Sequence, residues 1–243
     1  MDDWRYRELY ELEDRHWWFR GRRAVIWALL RRAEPPPSPR VLDAGCGTGR
    51  NLAELGRLGP AEGVDSSEDA VTFCRERGLD GVRQAELGEL PYEDGRFDVV
   101  VATDVIEHIE DDARALAELR RVARPGGRLV VTVPAYSWLW SEHDVSMHHH
   151  RRYTMGRLQE RVAAAGWEPT ASSYYFSCIL PAAAAVRLIR RALPGRSRRS
   201  DLELSPPVVG RALELVMRAE AALIARGVRL PAGVSVGMAC TAR

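Results

Sequence analysis

Two clusters in this 243-residue sequence have the residue types and spacing to do chemistry. The first is VLDAGCGTG at 41–49, an apolar run that ends in three alternate glycines, Gly45, Gly47 and Gly49. Glycines there let a ligand touch bare backbone, and amides at the start of the next helix favour an anionic group. The dinucleotide fingerprint GxGxxG needs glycine or alanine at position 50, which is Arg50, so the spacing disfavours NAD. Asp65 closes a second apolar run, AEGVD, about twenty positions past Gly45, where a carboxylate can accept hydrogen bonds from both hydroxyls of a ribose. Capping of a helix near 67–77 is the competing duty for this residue.

The second cluster is HDVSMHHHRRYT at 143–154, and with His108 in DVIEHIED it holds five of the six histidines: His108, His143, His148, His149 and His150. Imidazole is the base most easily used near neutral pH. No metal site is expected, because consecutive histidines point in different directions and no second ligand set is evident in the sequence. Arg151 and Arg152 have the geometry to grip a carboxylate or phosphate bidentately, or else to pair with the acidic stretch 107–112.

The ordered segments VLDAGCGTG, GVD, ELGELPYEDGRFDVVVATDVIEHI and LRRVARPGGRLVVTVP resemble the motifs of class I S-adenosylmethionine-dependent methyltransferases, over about residues 40–134. YELEDRHWWFRGRR, the loop around HDVSMHHHRRYT and LPAGVSVG are similar to a bacterial subset that acts on secondary-metabolite, glycan or lipid-linked acceptors. The resemblance implies S-adenosylmethionine as cofactor and transfer of its methyl group. Carried over residue by residue, it sets Asp43, Gly45, Cys46, Gly47 and Gly49 along the methionine part of the cofactor and Asp65 with Ser66 at the ribose. Glu86, where the family usually has aspartate, and the Leu87 amide would meet the adenine, and Thr103 and Asp104 would face the methyl group. The subset has a single histidine where this chain has His149, so His149 with Tyr153 is expected to order the acceptor loop or serve as base. His108 is either a further catalytic group or a packing residue, and His143, Arg151 and Arg152 are candidate acceptor contacts. Other reactions on the same cofactor (decarboxylation, cyclisation, elimination) and a non-catalytic cofactor-binding protein are the alternatives.

Strands and helices alternate through this region, which predicts an α/β fold with a doubly wound, mostly parallel seven-stranded sheet. Apolar residues at helical intervals predict one helix over 3–33, ended by PPPSP. The expected organisation is an N-terminal helical lid at 1–34, a cofactor-binding domain at 40–175 and 233–243, and a helical insertion at 176–232. The aromatic run HWWFRGRR would close over the cofactor or pack in a core, and the insertion would cap the acceptor, form a dimer seam or lie on a membrane surface.

All 35 basic residues are arginine. Without lysine there is no Schiff base, pyridoxal phosphate, Walker-A lysine or lysine base, and the arginine clusters at 20–23, 151–152 and 187–199 become the candidate anion grips. A net charge of +1 argues against a nucleic-acid partner. Four scattered cysteines without a CxxC pair fit a reducing cytoplasm, and the charged N-terminus is not a signal peptide.

Overall fold

The computed structural model describes residues 3–192 and 206–243. Two helices, Asp3–Leu12 (α1) and Trp17–Ala33 (α2), precede the first strand, Val41–Ala44 (β1). Then follow Arg50–Leu55 (α3), Ala61–Asp65 (β2), Glu68–Glu76 (α4), Val82–Gln84 (β3), Phe97–Thr103 (β4), Asp112–Val122 (α5) and Ala123–Pro134 (β5). A loop carrying the short helix Glu142–Ser146 (α6) leads to Met155–Ala164 (α7) and Trp167–Tyr175 (β6). Leu180–Ala192 (α8) and Pro207–Ala225 (α9) intervene before Ser235–Ala242 (β7).

The strands form one sheet in the order β3-β2-β1-β4-β5-β7-β6. β1 through β5 pair in parallel and β7 runs antiparallel between β5 and β6. Because β1 is followed by β2 on one side and has β4 on the other, the loops at the carboxyl ends of β1 and β4 part and leave a crevice. Central strands read as continuous apolar runs, VLDA and FDVVVAT, because helices cover both faces, and Val99, Val100 and Val101 are fully buried.

The helix predicted over 3–33 is two helices. The Glu13 side chain leaves the helical path for Thr48, and His16 caps α2 by accepting from the Trp18 amide at 3.3 Å. In its second half Leu29 and Leu30 are buried in one core with Val130, Ala239, Met217 and Ile224, so α2 lies between the sheet and α9. Gly21 is the point of closest approach, since a Cβ there would sit 2.7 Å from Met217 Cβ. The insertion therefore completes the core through α9. Half of the arginines of its run, those from 193 on, fall outside the described residues. Among the described residues no helix is long and apolar enough to cross a membrane.

Candidate active site

The glycine loop turns sharply out of β1, with Gly45, Gly47 and Gly49 all at positive φ. Only one of the three has open space where a Cβ would stand. A Cβ on Gly45 would strike Val105 at 2.3 Å and one on Gly49 would strike Leu79 at 2.7 Å and Cys74 at 2.8 Å, whereas Gly47 looks onto open space. The loop is held by Asp65, whose Oδ2 accepts from the Gly47 amide at 2.8 Å and whose Oδ1 accepts from the Ser67 amide at 3.0 Å. Burial raises the Asp65 carboxyl above its ordinary range, against the pull of these two amides. Helix capping at Ala70 falls to Ser67, so Asp65 is left to serve the loop and the cavity beside it.

A cavity of about 580 Å³ opens over this loop. Gly45, Cys46, Gly47, Asp65, Ser66, Thr103 and Asp104 line one end, and His108, His143, His149 and Arg152 the other. Between them stand Trp17, Trp18, Leu139, Ile179, Ala183 and Val186, an apolar belt supplied by α2, the turn into α8, α8 itself and the loop after β5. The volume suits a nucleoside-sized cofactor with a small partner molecule. The open face of Gly47 and the Asp65 carboxylate at one wall fit the ribose and methionine parts of S-adenosylmethionine.

Asp43 lies beneath the loop, off the cavity wall, fully buried and with neither oxygen hydrogen-bonded. Burial and then the nearby Asp65 push its carboxyl up to about 7. Glu86 is exposed and Leu87 is buried in the core, and neither reaches the cavity. The turn after β3 is anchored by the side chains of Leu87, Leu90 and Tyr92, with Glu86 beside them in solvent.

The histidine loop is laced to the segment after β4. The His150 amide donates to the Glu107 carbonyl at 2.8 Å, and Arg151 donates to the Glu110 carbonyl at 2.7 Å and pairs with Asp112 at 3.2 Å. His148 takes a left-handed backbone, so His148 and His150 face solvent while His149 turns inward. Its Nδ1 meets Asp144 Oδ1 at 2.9 Å, and Arg152 grips the same carboxylate with Nε at 2.7 Å and Nη2 at 3.0 Å. Against the effect of burial, His149 and Arg152 hold the Asp144 carboxyl well below the usual range. The His108 ring stands perpendicular to that of His149, 4.5 Å away between centroids, and burial followed by His149 pushes it down to about 4.

Tyr153 is not a cavity residue. It is fully buried and its hydroxyl donates to Asp112 at 2.8 Å, with burial and that carboxylate pushing its pKa above the ordinary phenol value. The arginine grips are largely committed within the protein: Arg20 to Glu214, Arg22 to Asp104 at 2.7 Å, Arg23 to Glu54 at 3.3 Å, Arg151 to Asp112 and Arg152 to Asp144. Cations placed beside equal numbers of carboxylates settle these pairs before any ligand arrives.

Sequence spacing gave no sign of the partners of four further wall residues. Tyr6 lies with its hydroxyl 3.5 Å from Asp65, Asn51 donates to Thr103 at 3.1 Å, Arg22 holds Asp104, and Thr48 donates to Glu13 at 2.8 Å. The HWWFRGRR run was the available signal, since it flags an aromatic surface that must meet something.

Residues 42–131 match the family model described as a methyltransferase domain. A "probable S-adenosylmethionine-dependent methyltransferase" of Mycolicibacterium smegmatis is 34% identical over 164 residues, which cover 65% of this chain and 62% of that protein. Another of the same description from Mycobacterium tuberculosis is 39% identical over 132 residues, 53% of this chain and 46% of its own. The chain spans 34% to 62% of the length of the first curated relatives it matches. In fold it is similar to a Thermotoga maritima "SAM-dependent methyltransferase, possible histamine N-methyltransferase", with a TM-score of 0.61, 20% identity and full coverage of both chains. It is also similar to the 4+2 cyclase SpnF, with a TM-score of 0.59 and 22% identity over 90% of this chain and 80% of that one. Glycine loop, sheet order and relatives agree: residues 42–131 carry a methyltransferase domain, in a chain similar to S-adenosylmethionine-dependent methyltransferases.

Proposed function

We propose that the protein transfers a methyl group from S-adenosylmethionine to a small amphipathic acceptor, of the secondary-metabolite, glycan or lipid-linked kind. The observation that carries this is the continuity of one cavity from the Gly47 and Asp65 cradle to the Asp144-oriented imidazole of His149. The bound cofactor supplies an already activated methyl group. The protein's own task is then alignment, which can lower a barrier by about 7–11 kcal/mol.

Gly47, Asp65 and Ser66 bind and orient the nucleoside end, and Thr103 and Asp104, fixed by Asn51 and Arg22, set the position of the reacting end. Trp17, Trp18 and Leu139 exclude water around it. His149 offers a lone pair at Nε2, since Nδ1 is taken by Asp144, and that lone pair can activate an acceptor. Support for an apolar acceptor body comes from α8, which lines the cavity with Ala182, Ala183 and Val186 and turns Leu188 and Ile189 to the surface. That surface also suits contact with a lipid chain.

The test is incubation of the full chain with methyl-labelled S-adenosylmethionine and extracts or a panel of hydroxylated amphiphiles. Release of S-adenosylhomocysteine together with label in a small molecule is expected, and His149→Ala should lower turnover by about 100-fold or more. Cofactor consumed with no labelled product would assign another reaction to the cavity, and a cofactor bound but unchanged would make this a binding protein.

A further inference from the structure

We propose that Glu107, His108 and His149 form a divalent-cation site that holds an oxygen atom of the acceptor beside the methyl group to be transferred. This rests on the methyl-transfer reading of the cavity and names the acceptor atom. One ligating atom from each of the three residues lies within 4.8 Å of the other two.

The charge count at this end of the cavity asks for a cation. Asp104 is paired with Arg22 and Asp144 with Arg152. Glu107 is 1% exposed, and no other residue hydrogen-bonds either of its carboxylate oxygens. A buried carboxylate with no donor from another residue against it is held by a proton or by a metal. A proton would still leave an O–H with no acceptor, whereas a cation satisfies Glu107 and both imidazoles together.

The imidazoles are also prepared as ligands. His149 is oriented through Nδ1 by Asp144, and His108 hydrogen-bonds the Met147 backbone, so each ring has its second nitrogen fixed by an outer partner. That arrangement is the usual support for a metal-binding histidine. Two imidazoles and one carboxylate suit zinc, manganese, iron or cobalt, and a three-ligand set leaves positions open for substrate. The sequence led us to expect no metal because the histidine run had no second ligand set. The fold supplies that set from the segment after β4, brought against the loop by the bond from the His150 amide to the Glu107 carbonyl.

A cation here favours an acceptor with two neighbouring oxygens, such as a vicinal diol or an α-hydroxy carboxylate. With the free His149 lone pair on the cation, His149 activates the acceptor through the metal and not as a base: the hydroxyl gives its proton to water, an O–C bond forms to the methyl carbon, the C–S bond breaks and sulfur keeps the electron pair. Atoms and charge balance without a further reactant.

The test uses the EDTA-treated 243-residue chain titrated with Co(II) alone and read by its visible d–d absorption and by calorimetry. About one Co(II) per chain is expected, displaced by zinc, with Glu107→Gln and His108→Gln each weakening binding by at least about tenfold. Glu107→Gln keeps the shape and removes a buried charge, so its thermal transition should be retained. Absence of Co(II) binding by the wild type, or equal binding by the variants, overturns the proposal and leaves a proton on Glu107. The same samples are assayed for S-adenosylhomocysteine release. Release from metal-free protein sinks the cation site alone, and metal bound without any methyl transfer to the panel sinks the functional reading alone.

Discussion

Asp43 shows how much a single side chain in this fold depends on its surroundings. It lies in the apolar strand VLDA, where sequence marks it as an exception to the pattern, and the structure buries both oxygens without a partner. Its carboxyl sits near 7 in the folded chain against about 4 unfolded, so between those values the native state binds more protons. Stability of the ligand-free protein should therefore fall as pH rises from 4 to 7 through this group. Asp43→Asn removes that loss, and denaturation at pH 5 and pH 8 should show the variant gaining on the wild type by about 2–4 kcal/mol at the higher pH. A pH-independent difference would mean that a partner satisfies the carboxylate. His149 and Glu107 make the same point for the site. Their residue types were visible in the sequence, but their roles follow from Asp144 on one and the lack of a partner from any other residue on the other.

At the scale of elements, α1 and the turn after it are fastened onto the glycine loop. Thr48 donates to Glu13, Arg77 pairs with Glu13, Arg50 pairs with Asp14, and Tyr10 packs on Phe73 of α4 at 5.0 Å. These links make α1 a cover for the nucleoside end of the cavity. Thr48→Val removes one buried hydrogen bond, worth about 1 kcal/mol. Amide exchange over residues 3–16 should quicken, and the cofactor dissociation constant should rise by about threefold to tenfold. Unchanged exchange in that segment would show that α1 is held by packing on α4 instead. The break between α1 and α2 was hidden in the sequence because apolar spacing runs through it. It arises from Glu13 and His16, whose partners are 35 residues away for one and local for the other.

For the molecule as a whole, the insertion before β7 is part of what holds the sheet together. Met217 is fully buried against α2 at Gly21, and Ala221 and Ile224 continue the seam. Met217→Ala should destabilise the protein by about 2–5 kcal/mol in chemical denaturation. A loss under about 1 kcal/mol would mean that α9 rests on the domain without sharing its core.

Strand and helix order, the parallel sheet, the glycine turn and the cofactor were all legible in the amino-acid order, because each rests on local periodicity or on a motif a few residues long. The direction of His149, the withdrawal of Tyr153 and Glu86 from the cavity, the pairing of the arginines and the meeting of Glu107 with two histidines were decided by tertiary structure. Those features depend on carboxylates and carbonyls tens of residues away, such as Asp112 for Tyr153 and Asp104 for Arg22. Charge pairing and burial are properties of the packed chain, and the fold alone sets which partner each group finds.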